Sequence, residues 1–167
     1  TNKLKYFIGN WKMFGDFGSL KIIYQIHRFW TKFKKRDIKN KIILCVPFTL
    51  IYFFTKKLKS KLISIGAQNC HHRNIFGPFT GSVNASMLKN AGAKYVILGH
   101  SENRLEGETN QLIKKKIKSA LNEKLNIIFC IGETSKEKKK GKTFSILKKQ
   151  IRSSLEKNFN INKIIFA

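Results

Sequence analysis

The feature that most constrains this chain is an alternation repeated six times. A short apolar run rich in β-branched residues is followed by a longer stretch whose apolar residues recur at threes and fours. The short runs are Tyr6–Gly9, Ile42–Val46, Leu62–Ala67, Tyr95–Leu98, Asn126–Ile131 and Lys163–Ala167. Between the first two, Leu20, Ile23, Ile26, His27, Trp30 and Phe33 mark a helical stripe. Ser19 is its expected cap, and Lys32, Lys34, Lys35 and Arg36 suit the negative end of its dipole. Pro47 opens a second helix to about Lys59, with Leu50, Phe53, Phe54 and Leu58 on one face. Asn84 or Ser86 caps a short third, closed near Gly92. Thr109 caps a fourth, with Leu112, Ile113, Ile117, Ala120 and Leu121 buried and Lys114, Lys115, Lys116 and Lys118 expected to face water. A charged turn over residues 134–140 follows, then a helix from Thr143 to Asn158 with Phe144, Leu147, Ile151 and Leu155 inward. No hairpin signal separates the runs. The pattern therefore predicts an α/β chain with a parallel sheet and crossover helices, either doubly wound or a (β/α) barrel.

At 167 residues with 42% hydrophobic content, the chain is long enough for one domain with a real core. Its formal net charge of +25 raises a polyanion-binding reading. The lysines, however, are spread over every segment, and Lys, Asn, Ile and Phe are all abundant, as A/T-rich codons would give. No recognition helix or RNA-stacking motif accompanies them, so nucleic acid is not the expected partner. The charge would still draw in small anions. The three cysteines, Cys45, Cys70 and Cys130, have neither CxxC nor zinc spacing, and their sparse, odd number suits a reducing compartment. Cys70-His71-His72 reads as a polar loop rather than a metal site, and no metal is expected. Asn84-Ala85-Ser86 matches a glycosylation sequon in a chain with no secretory signal. No apolar run approaches the roughly 20 residues of a membrane helix, so no membrane partner is expected. The chain opens on Thr1 rather than methionine, as a processed or cut chain would.

Polar residues follow at least four of the runs: Asn10 and Lys12, Gln68 and Asn69, His100 and Glu102, and Glu133. In parallel α/β sheets and barrels, strand carboxyl ends are where ligands bind and catalytic groups sit. Neither GxGxxG nor a Walker-type GxxxxGK[ST] is present, so nothing marks a nucleotide fold.

The segments GNWKM (Gly9 to Met13), AQNC (Ala67 to Cys70), FTGSV (Phe79 to Val83), LGHSENR (Leu98 to Arg104), GET (Gly107 to Thr109) and CIGE (Cys130 to Glu133) stand in that order along the chain. In them the chain resembles the triosephosphate isomerase family. The resemblance implies a (β/α)8 TIM barrel, incomplete here with about six βα units, as a single partial domain over 1–167. It implies cofactor-free interconversion of dihydroxyacetone phosphate and glyceraldehyde 3-phosphate through an enediolate, in glycolysis and gluconeogenesis in the cytoplasm. Lys12 would supply a fixed cation for a phosphate and for charge developing on oxygen, and Asn10 would hold substrate by hydrogen bonding. His100 would be the electrophile. That family is itself the standing example of a neutral histidine polarising a carbonyl, so this role is carried over with the resemblance. Glu102 reads equally as a supporting carboxylate beside the lysine and as the first-turn acid of a helix. Cys130 and Glu133 match family positions, Cys130 as a packed strand residue.

The resemblance also implies a homodimer through the loop from His71 to Val83, with Thr80 at the position that inserts into the neighbouring subunit. Ser82 and Asn103 stand where the family usually carries an acid and an arginine paired across that interface; both charges are absent together. Phe14 departs as well, where the family often has a small or polar residue. The family runs to roughly 250 residues. The sixth strand should lead into its catalytic glutamate and flexible lid, and no residue of this sequence matches that base. The expectation is therefore of an isomerase chain in part, or of a non-catalytic remnant, with Tyr6–Gly9 and Lys163–Ala167 as unpaired edges prone to aggregation.

Overall fold

A computed structural model describes residues 5–32, 40–58 and 60–167. Its strands are β1 (Lys5–Asn10), β2 (Asn40–Cys45), β3 (Ile63–Ala67), β4 (Tyr95–Leu98), β5 (Asn126–Phe129) and β6 (Ile164–Phe166). Its α-helices are α1 (Leu20–Lys32), α2 (Phe48–Lys57), α3 (Ala85–Asn90), α4 (Ser101–Leu105), α5 (Asn110–Asn122), α6 (Ser135–Lys139) and α7 (Thr143–Ser154). Short 3-10 turns occupy Phe17–Ser19 and Ile161–Lys163. The strands pair in parallel in the order β1-β2-β3-β4-β5-β6 and form a half-barrel. Every neighbour in the sheet is the next strand in sequence.

Both faces of β2, β3, β4 and β5 are largely covered, which is why they read as continuous apolar runs, whereas the edge strand β1 is exposed along its first half. In β2, Ile42 and Leu44 face the helices while Ile43 and Cys45 join Tyr95, Ile97 and Ile128 on the inner side. The outer cluster is much the larger. It gathers Ile23 of α1, Ile51 and Phe54 of α2, and Ile113 and Ile117 of α5 against Val96, Leu98, Ile127 and Phe129. Each fully buried side chain of this size contributes roughly 1.5–3 kcal/mol of transfer free energy.

Several local expectations hold: Asn84 caps α3 by accepting from the Met87 N–H at 2.8 Å, and Thr109 caps α5 by accepting from the Leu112 N–H at 3.2 Å. The Asn84 of the sequon is buried by that role. Three expectations change. The cap ahead of α1 is Asp16, which accepts from the Ser19 N–H, while Ser19 Oγ accepts from the Asp16 N–H in return. Phe144 is 87% exposed, because the first turn of α7 overhangs the core that Ile151 and Leu155 pack against. Lys116 is buried instead of facing water, and its partner is described below. Phe33, Lys34, Lys35, Arg36 and Lys59 lie outside the described residues. No helix among the described residues is long and apolar enough to cross a membrane.

Candidate functional site

β1 delivers its carboxyl end through a strained residue. Lys12 has φ +51°, a left-handed conformation uncommon outside glycine and one that surrounding contacts must hold. Those contacts are present. The Lys12 N–H donates to Asn10 Oδ1 at 3.0 Å, and its carbonyl accepts from Gln68 Nε2 at 2.8 Å. Gln68 Nε2 also donates to the Cys45 carbonyl at 3.1 Å, so the ends of β1, β2 and β3 are tied together. The side chain then reaches α4, just past the end of β4: Lys12 Nζ donates to Glu102 Oε1 at 2.7 Å.

β4 ends at Leu98, and Gly99 turns the chain with φ +74° into His100, which caps α4. His100 Nδ1 accepts the Glu102 N–H at 3.3 Å. Glu102 Oε2 lies 3.4 Å from the same nitrogen. A nitrogen that accepts a backbone N–H carries no proton of its own, so we assign the neutral tautomer with its proton on Nε2. Glu102 thus stands between lysine and histidine, and it is both the first-turn acid of α4 and the partner of Lys12.

The hydrogen bond from Lys12, reinforced by the lysine's charge, holds the Glu102 carboxyl below its ordinary 4.5. The sign follows directly. A depressed carboxyl keeps its pairing above the ordinary value and loses it as pH falls through the lowered one. A carbon-detected titration of Glu102 is expected to give a midpoint under 4.5 that rises in Lys12→Met. An unchanged midpoint in that variant would remove Lys12 as the cause.

Asn10, Lys12, Gln68, Asn69, His100 and Glu102 line one cleft of about 690 Å³. Met13, Phe14, Pro47, Phe48, Asn103 and Glu106 complete its wall. Glu133 stays outside it, in an adjoining cleft of about 520 Å³ that His100 also lines. Glu133 accepts from Thr143 Oγ1 at 2.9 Å. Cys130 is half-buried in that second cleft, its thiol raised by burial. Burial pushes Cys45 and Cys70 up to about 12, which leaves them unreactive thiols. Among the described residues no group of three or more His, Cys, Asp or Glu side chains could hold a metal ion.

Beneath the cleft lies a network the sequence did not announce. Lys116 Nζ donates to Glu108 Oε1 and, at 2.9 Å, to Asn69 Oδ1; both charged residues are 8% exposed. The other oxygen, Glu108 Oε2, accepts the Gly99 N–H at 3.2 Å. The signal was present in part, since Glu108 sits in the GET segment, but its partner lay among lysines that read as solvated.

The cleft can therefore offer a cation, a neutral imidazole N–H donor and amide groups to one small ligand. These are means of holding an anion and polarising a carbonyl.

The sequence pattern of the family described as "Triosephosphate isomerase" matches residues 5–167. Among curated relatives, the triosephosphate isomerase of Alkaliphilus metalliredigens is 40% identical over 133 residues, covering 78% of this chain and 51% of that protein. That of Dictyoglomus thermophilum is 40% identical over 139 residues, covering 81% and 53%. In structure, the chain is similar to a crystal structure of triosephosphate isomerase from Bartonella henselae, with a TM-score of 0.88 and 35% identity over 96% of this chain and 65% of that one. The chain spans about half the length of the curated relatives it matches.

Proposed function

Because the chain belongs to the triosephosphate isomerase family, we propose that it carries the substrate-polarising part of a triose-phosphate isomerase site, which interconverts dihydroxyacetone phosphate and glyceraldehyde 3-phosphate. The observation that carries this reading is that Glu102 pairs with Lys12 through its carboxylate and with His100 Nδ1 through its backbone N–H, all in one cleft.

In this reading the His100 Nε2–H donates to the substrate carbonyl and stabilises the enediolate oxygen as charge develops there. Lys12 supplies positive charge to the phosphate and to the same developing anion. Asn10 holds substrate by hydrogen bonding and, through its Oδ1, fixes the strained Lys12 backbone. Glu102 keeps the lysine extended into the cleft and the imidazole in its donor tautomer. The reaction moves a proton between adjacent carbons and needs a carboxylate to carry it. We assign none of the acids in this sequence to that step. The reading brings with it a place in glycolysis and gluconeogenesis, a cytoplasmic location and a homodimer through residues 71–83. In that loop Ile75 and Phe76 are exposed. Met13 and Phe14 stand equally exposed on the cleft wall.

The test is a coupled assay of triose phosphate interconversion, run on the complete product of the gene and on the 167-residue chain. The complete product is expected to turn over. The 167-residue chain is expected to give no rate above the uncatalysed background. No turnover by the complete product would overturn the proposal, and turnover by the 167 residues alone would mean that one of their own acids serves as base.

A further inference from the structure

The histidine at the centre of the cleft is held from behind by groups that do not touch the cleft's ligand. His100 is joined to the sheet through Gly99, whose peptide groups are engaged on both sides. The N–H donates to Glu108 Oε2 at 3.2 Å, and the carbonyl accepts from Arg104 Nε at 2.7 Å. Arg104 is fastened in turn. Its Nη1 donates to Asn110 Oδ1 at 2.7 Å, at the start of α5, and its Nη2 donates to the Cys130 carbonyl at 3.3 Å, just past β5. One guanidinium therefore spans the end of β4, the end of β5 and the head of α5. The guanidinium packs closely enough on Gly99 to leave no room for a side chain there. A Cβ built there would stand 2.9 Å from Arg104 Nη2 and 3.0 Å from the Cys130 carbonyl oxygen.

The consequence for His100 is directional. The bond from Arg104 to the Gly99 carbonyl fixes the plane of the Gly99–His100 peptide. That plane sets where the imidazole leaves the chain and whether its Nδ1 meets the Glu102 N–H. With the plane free to rock, Nδ1 loses its fixed donor, and the two neutral tautomers of an imidazole are close enough in energy to interconvert. Only one of them puts the N–H at Nε2. Lysine could reach one carbonyl but not two groups at fixed angles, since the planar fork belongs to arginine alone.

We propose that Arg104 is a positioning residue that locks His100 in its Nε2–H tautomer by clamping the Gly99 carbonyl. The use of that tautomer in turnover rests on the isomerase reading, whereas the lock itself does not.

The experiment reads the imidazole directly and involves no substrate. The chain is labelled with ¹⁵N, and the side-chain nitrogens of its four histidines are recorded at pH 8, with His100 identified by the signals missing from His100→Gln. In the parent chain the two His100 nitrogens are expected at the limiting shifts of a single tautomer, with Nε2 protonated. In Arg104→Met they are expected to move towards averaged values, and in Arg104→Lys to lie between. Asn110→Ala removes one of the arginine's anchors while sparing the Gly99 bond, and a smaller move in the same direction is expected. Limiting shifts retained in a folded Arg104→Met would overturn the proposal. Should that variant fail to fold, unchanged shifts in Asn110→Ala and Arg104→Lys together would overturn it. An inactive complete protein with the expected shifts would instead remove the isomerase reading and leave the clamp standing.

Discussion

Replacing Lys116 with methionine is expected to destabilise the folded chain by about 3–5 kcal/mol, the range for stripping one partner from a buried ion pair. The physical reason is what remains. Glu108 is 8% exposed, and without Lys116 its Oε1 has no donor while Oε2 still accepts the Gly99 N–H. Asn69 Oδ1 loses one of its two donors and keeps the Cys70 N–H at 2.8 Å. Methionine fills the volume, so packing is a minor part of the loss. Against the total stability of roughly 5–15 kcal/mol usual for a domain, this approaches the whole. Urea unfolding followed by far-UV circular dichroism would measure it. Adding Glu108→Gln should recover part of the loss, because neutralising both members of a buried pair costs far less than orphaning one. A loss below about 1 kcal/mol in the single variant would mean that water reaches the pair and screens it.

The second large effect belongs to chemistry. In the complete gene product, His100→Gln is expected to lower kcat by about 10²–10⁴-fold, the range for removing a general acid or an oxyanion donor. Glutamine retains an N–H donor and similar bulk, so KM is expected to change much less than kcat. That split is the mark of an interaction made chiefly in the transition state. Steady-state rates in both directions of the interconversion would check it. An unchanged kcat would move the electrophile's role off His100 and leave Lys12 as the main polarising group.

Much of this was legible in the residues themselves. The unbroken apolar run Ile42–Ile43–Leu44 and the period of three and four in Ile113–Ile117–Ala120 are direct consequences of what each face touches, and local caps such as Thr109 need only near neighbours. The residues expected at the site, Asn10, Lys12, His100 and Glu102, come together because parallel strands point the same way. What could not be read was pairing at long range. Lys116 looks like Lys115 and Lys118 in sequence. It differs because the turn of α5 aims it at Glu108, eight residues earlier and across a bend. Phe144 failed for the opposite reason: its periodicity is correct, but periodicity cannot say where the neighbouring surface ends. The clamp on Gly99 was hidden too, since backbone carbonyls leave no mark on a sequence.

The order of the strands in the sheet has a consequence for how the chain is made. Each strand pairs with the one synthesised just before it, and none waits for a partner from the far end of the described residues. On a ribosome adding about 5–20 residues per second, the sheet can therefore grow one βα unit at a time as the nascent chain emerges. Loop closure then involves only adjacent units. At any moment the sheet has two open apolar edges, the newest strand and the first, and only the newest changes as synthesis proceeds.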